Sequence, residues 1–142
     1  MGESPDFFTR WREFYATVDD LARTLALYPI TGSAKAVRLG MPLRQEVTQP
    51  AGMFSAPALF GLADVAGTWL AKFHAPQGQF PLAVQSSINL LSNTKHGDAI
   101  ATATIVRAGR TLVVTDTAVF DHHEETMLAK VVTTYVIPQP RS

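Results

Sequence analysis

From residue 57 to 74 the chain reads PALFGLADVAGTWLAKFH, apolar or small at nearly every position, with a lone carboxylate, Asp64, in its middle. A helix apolar on almost all faces is buried rather than laid on a surface, so this pattern predicts a central helix over 57–74. Pro57 suits the first turn, where its missing N–H has no partner to lose, with Ser55 or Ala56 at the cap. Upstream, Phe7, Phe8, Trp11, Phe14, Tyr15, Val18, Leu21, Ala22 and Leu25 recur at spacings of three and four. That spacing predicts one amphipathic helix or two short ones, capped by Ser4, with Pro5 at the first helical position, and stopped before Pro29. Its aromatic stripe is expected to pack on the domain or on a second subunit, with a ligand wall as the other reading.

Period-two alternation takes over elsewhere. Val37, Leu39 and Met41 predict a strand over 35–41, and four more strand-like runs cover 80–92, 100–108, 111–121 and 127–137. Residues 30–33 read as a turn, and 42–54, with Pro42, Pro50 and Gly52, as a loop delivering the chain to the central helix. The last four strands are separated by KHGD (95–98), Gly109 with Arg110, and DHHEE (121–125). Such short separators predict antiparallel neighbours joined by hairpins. Helix, strand, long buried helix and four strands make an α+β protein, one antiparallel sheet wrapped around the central helix. Residues 1–33 form a helical extension and 34–142 the main part of a single domain. Because one sheet covers only one side of an apolar helix, a homodimer or a dimer of dimers is expected.

Composition narrows the function classes. The chain has 142 residues, 46% hydrophobic and 17% charged, which is globular rather than disordered. Twelve basic residues balance twelve acidic ones without a basic block, which argues against nucleic acid as a partner. Absence of cysteine excludes disulfides, thiolate metal ligands and a thiol nucleophile, and no secretory signal pattern opens the chain. The expectation is a cytoplasmic protein. The apolar helix approaches the length of a short membrane span, but Asp64, Lys72 and several glycines argue for a core helix and no membrane partner. His122 and His123 are adjacent, no His-Glu-x-x-His spacing occurs, and no metal is expected.

Asp64 is the anomaly. An ionised carboxylate among apolar side chains needs donors or a chemical use. The start of the same helix offers free N–H groups and the positive end of the dipole, a setting for a developing oxyanion. Thr68 lies one turn beyond Asp64 on the same face. Ser55 as a nucleophile is disfavoured, since no Gly-x-Ser-x-Gly elbow and no triad partners are evident; a capping role fits it better.

Several features in order resemble the hotdog-fold thioesterases, in particular the phenylacetate-pathway acyl-CoA thioesterase group. They are the loop QPAGMFSAP (49–57), Leu-Ala-Asp at 62–64, SSINLL at 86–91, KHGD at 95–98 and AGR at 108–110. The likeness spans roughly 35–138. It implies a hotdog fold and hydrolysis of acyl-CoA or aryl-CoA thioesters, with no cofactor beyond the coenzyme A of the substrate. The family loop commonly reads Asn-x-x-Gly-x-x-His-Gly-Gly, with an acid nine residues after the His. Counting back from Asp64 sets Ser55 at the His position, Ala56 and Pro57 at the two glycines, Gly52 at the earlier glycine and Gln49 at the Asn. The acid is kept and most of the loop differs. The resemblance thus implies the Ala56 N–H as the group polarising the thioester carbonyl, Asp64 as base or nucleophile, Thr68 as a holder of the water, and Gln49 in support. Gly52, Ser55, Phe60, Arg107 and Arg110 are the expected substrate contacts. Lys72 and Lys95 join the two arginines as candidates for the coenzyme A phosphates, and Phe54, Phe60, Trp69 and Phe73 could line an acyl pocket at a dimer seam.

Two rivals stand beside this reading. A non-catalytic hotdog module binding acyl thioesters is favoured by the altered loop and opposed by Asp64 with Thr68. A hotdog dehydratase would want a histidine in that loop, and none is there.

Overall fold

The computed structural model describes residues 6–139. Helix α1 (Phe7–Tyr15) opens on Asp6, whose carboxylate accepts the Thr9 N–H at 2.9 Å; the expected cap at Ser4 and Pro5 lies outside the described residues. A short α2 (Leu21–Thr24) follows, so the amphipathic stripe is two helices, with Asp20 capping the second. The strands are β1 (Tyr28–Gly32), β2 (Ala36–Met41), β3 (Leu82–Leu90), β4 (Ala99–Ala108), β5 (Leu112–Phe120) and β6 (Met127–Val136), and α3 (Ala56–Lys72) lies between β2 and β3. All six form one antiparallel sheet in the order β1-β2-β4-β5-β6-β3.

α3 packs across β2, β4, β5 and β6. Leu59, Leu62, Ala66 and Leu70 on its sheet-facing side are 1% exposed or less and meet inward residues of the strands such as Leu39, Ala101, Val119 and Val131. Burying each leucine contributes about 1.5–3 kcal/mol, which is what holds an otherwise featureless apolar helix in place. One close approach sets a sequence requirement. At Gly67 a Cβ would lie 2.7 Å from the Tyr135 hydroxyl and 2.9 Å from Thr115 Oγ1, so only glycine lets β5 and β6 come this near the helix.

α1 is held by aromatic packing on the other side of α3. The Trp69 ring stacks on Trp11 (5.4 Å, 29°) and meets Phe7 and Phe14 edge-on at 5.5 and 5.3 Å. Its indole N–H donates to the Tyr15 hydroxyl at 3.2 Å. The stripe therefore covers the domain itself.

Two expectations fail. Residues 30–33 are not a free turn; most of them belong to β1. Pro29 is tolerated there because β1 is an edge strand and a bulge between Pro29 and Thr31 absorbs the irregular pairing. Nor does β3 form a hairpin with β4. It pairs with β6 at the opposite edge, and β4 inserts beside β2. The connection over 91–98 spans the sheet instead of turning back on itself, its backbone passing through Gly97 at φ +81°. Sequence proximity and a Gly-containing separator could not reveal that the crossover through α3 sends β3 to the far edge. The other two hairpins, β4 to β5 and β5 to β6, form as expected. No helix among the described residues is long and apolar enough to cross a membrane.

Candidate active site on the central helix

The loop before α3 is built to fix the helix start. Gln49 and Met53 close it through the Gln49 N–H to the Met53 carbonyl (2.8 Å), while the Gln49 side-chain oxygen accepts the Ala51 N–H. Gly52 turns the chain at φ +85°, a conformation costly for other residues, with open space where a side chain would stand. Ser55 caps the helix, accepting the Ala58 N–H at 3.2 Å, and this engagement is the role the chain gives its hydroxyl. Ala56 is exposed at the first helical position, and no acceptor among the described residues takes its N–H.

Asn93 completes the clamp. Its amide accepts the Phe54 N–H (3.1 Å) and donates to the Phe54 carbonyl (2.8 Å), tying the connection after β3 to the residue just before the cap. Nothing in the sequence separates this asparagine from any turn residue; only its long-range partner reveals it.

Two turns further along, Asp64 is partly exposed, and no donor among the described residues reaches its carboxylate. Surrounded by apolar atoms, the group is desolvated, and this raises its pKa above the usual carboxylate value. It lines a cavity of about 180 Å³ with Thr68, Lys72, Trp69, Phe80 and Tyr15. Asp64 and Thr68 are thus brought together. Thr68 does not satisfy the carboxylate, however. Its hydroxyl donates to the Tyr135 hydroxyl at 3.2 Å, which in turn donates to the Asp64 main-chain carbonyl at 3.3 Å. Tyr135, fully buried and standing up from β6, pins this turn of α3 to the sheet, a role its place in an alternating strand did not advertise.

The remaining expected residues lie apart. Phe60 is half-buried against the core. Arg107 is exposed beside a bulge in β4, and Arg110, in the β4–β5 turn, donates to the Gln139 side chain at 3.2 Å. Neither arginine lines the cavity at Asp64. Ala56 and Asp64 are eight positions apart on one helix, so their backbones are separated by about 12 Å at 1.5 Å per residue. Among the described residues no group of three or more His, Cys, Asp or Glu side chains could hold a metal ion.

No curated protein matches the chain in sequence. Solved structures do match in fold. A variant of a thioesterase from Pseudomonas aeruginosa superposes with a TM-score of 0.84 at 18% identity, covering 96% of this chain and 97% of that one. The PaaI protein of the E. coli phenylacetic acid degradation operon gives 0.81 at 19% identity, covering 92% of each. A thioesterase family protein from Silicibacter pomeroyi gives 0.79 at 26% identity, covering 88% of this chain and 93% of that one. Residues 51–128, which hold the loop from Ala51 onward, α3 with Asp64, and strands β3, β4 and β5, match the family model of the thioesterase superfamily. With the sheet wrapped around its helix in the hotdog arrangement, the chain belongs to that superfamily.

Proposed function

We propose that the protein hydrolyses acyl-CoA thioesters to the free acid and coenzyme A, as a homodimer whose sites each combine Asp64 of one subunit with the Ala56 N–H of the other. The observation carrying this reading is the Asp64 carboxylate, without a partner among the described residues and lining a largely apolar cavity, in a chain of a thioesterase superfamily. Its raised pKa makes it a better base than an ordinary aspartate. Asp64 takes a proton from water, the water oxygen attacks the carbonyl carbon, and the negative charge on the carbonyl oxygen is met by the Ala56 N–H and the dipole of α3. Collapse of the tetrahedral intermediate breaks the C–S bond, and the leaving thiolate takes the proton that Asp64 had removed from the water, which restores the carboxylate. Direct attack by Asp64, giving a mixed anhydride that water then opens, fits the same atoms.

A two-subunit site is supported by the separation of about 12 Å between the Ala56 and Asp64 backbones along one helix, and by the sheet. β3 is an edge strand with its outer backbone groups unpaired, and Leu82, Val84, Leu90 and Leu91 on or beside it are 52–58% exposed. An apolar edge of this kind is covered by pairing with another strand, and a second copy of β3 is the simplest cover.

The test uses two variants. Asp64→Asn removes the base. Ala56→Pro deletes the N–H while leaving a residue suited to the first helical turn, and the extended backbone of Ser55 (φ −72°, ψ 151°) accepts a following proline. Each alone should release thiol from acyl-CoA substrates at about a hundredth of the wild-type rate or less. After mixing and subunit exchange, about a quarter of wild-type activity should return, since half the dimers are mixed and each has one intact site. Failure to regain activity would put both groups in one subunit or in no common site. No turnover by the wild type on any acyl-CoA would favour the binding module, a reading supported by the Gln49 side chain being engaged in its own loop.

A further inference from the structure

Lys72, at the last turn of α3, is a half-buried cation without an anion. It lines the same cavity as Asp64, and no carboxylate among the described residues forms an ion pair with it. Its ammonium lies instead over aromatic rings, 3.6 Å from the centre of Phe14, 4.1 Å from Trp69 and 5.6 Å from Phe80. Burial, with Arg10 nearby, lowers its pKa to about 8; Asp20 opposes this but stays beyond ion-pair range. An ammonium removed from water is costly unless something compensates, and ring faces compensate less than a carboxylate would. The cavity is thus lined by the Asp64 carboxylate, by apolar walls of Val65, Trp69 and Phe80, by the Lys72 ammonium, and by a second carboxylate, Asp20, which forms no ion pair with that ammonium.

Distance decides which anion fits. Asp64 and Lys72 are about 12 Å apart along the helix axis, and lysine side chains lean back toward the helix N-terminus, which brings the ammonium closer. The phosphates of coenzyme A lie beyond the whole pantetheine arm on the thiol side of the thioester. The acyl side offers the shorter span: a chain of a few methylenes ending in a negative group.

Building on the hydrolase reading, we propose that this cavity is an acyl site for thioesters of dicarboxylic acids, with Lys72 holding the distal carboxylate and so determining specificity. The methylene chain lies along Trp69 and Val65, and the free carboxylate displaces the aromatic rings as the partner of the ammonium.

The experiment compares matched pairs of equal length, succinyl-CoA with butyryl-CoA, adipyl-CoA with hexanoyl-CoA, and suberyl-CoA with octanoyl-CoA, in wild type, Lys72→Met and Lys72→Gln. The quantity read is the ratio of kcat/KM within each pair and each protein, so a general loss of activity cancels. At least one pair should favour the carboxylated substrate about tenfold or more in the wild type, the strength of a charge-assisted contact, and both variants should bring that ratio to one or below. A wild type favouring the methyl-terminated partner at every length, or a preference that survives in the variants, overturns the proposal while leaving the hydrolase reading intact. If neither series is hydrolysed, the hydrolase reading fails by itself. The site is then judged by equilibrium binding of thioether analogues: tighter binding of the carboxylated analogue that depends on Lys72 supports it, and equal binding of the two analogues overturns it.

Discussion

The two long faces of α3 are made of the same helix and answer opposite demands. The face toward the sheet carries Leu59, Leu62, Ala66 and Leu70, each closed off from water, and its one polar meeting place, at Gly67, is filled by the Tyr135 hydroxyl. The face away from the sheet carries Asp64 and Lys72, both charged and without an ion-pair partner among the described residues, beside a cavity under the aromatic residues of α1. The first face holds the fold together and has nothing left to bind. Tolerating the second costs stability, because among the described residues no donor reaches the Asp64 carboxylate and no carboxylate pairs with the Lys72 ammonium.

That division can be broken experimentally. Asp64→Asn should lower kcat/KM for thioester hydrolysis by about 100-fold or more, the usual worth of a general base, while the circular dichroism spectrum stays unchanged. The same variant should be more stable than wild type at pH 7. The sign follows from desolvation: the native pKa of Asp64 is raised above the value of 3.8 of the unfolded chain, so the stability it contributes is present below that value and lost as pH rises through the native pKa. The advantage of the variant should thus shrink as pH falls toward 3.8, as melting curves across pH would report. A variant less stable than wild type at pH 7 would mean that the carboxylate has a partner.

On the opposite face the order of effects reverses. Leu62→Ala should cost about 3 kcal/mol in urea unfolding through the cavity it leaves, and any loss of activity should follow from the loss of folded protein. Tyr135→Phe removes the hydroxyl joining Thr68 to the Asp64 carbonyl and should cost about 1.5 kcal/mol. Smallest is Ser55→Ala, about 1 kcal/mol for the lost cap, with the Ala56 N–H left in place. A Leu62→Ala loss below that of Ser55→Ala would show the sheet-facing side to be less tightly packed than its burial indicates.

The sequence by itself determined the elements whose cause is local. The apolar run of α3, its cap at Ser55, the alternation of β4, β5 and β6 and the isolation of Asp64 all follow from side-chain periodicity and the chemistry of one helix end, which neighbours in sequence decide. Tertiary structure alone decided what depends on partners far along the chain. Pairing β3 with β6 requires the crossover of α3, Asn93 acquires its meaning only against Phe54, and Tyr135 only against Asp64 and Thr68. Lys72, on paper one of four cations set against the coenzyme A phosphates, is seen as an ammonium held under aromatic rings only once Phe14 from α1 folds over it. Periodicity states which side of an element is apolar; only the packed molecule states what is left facing the polar groups on the other side.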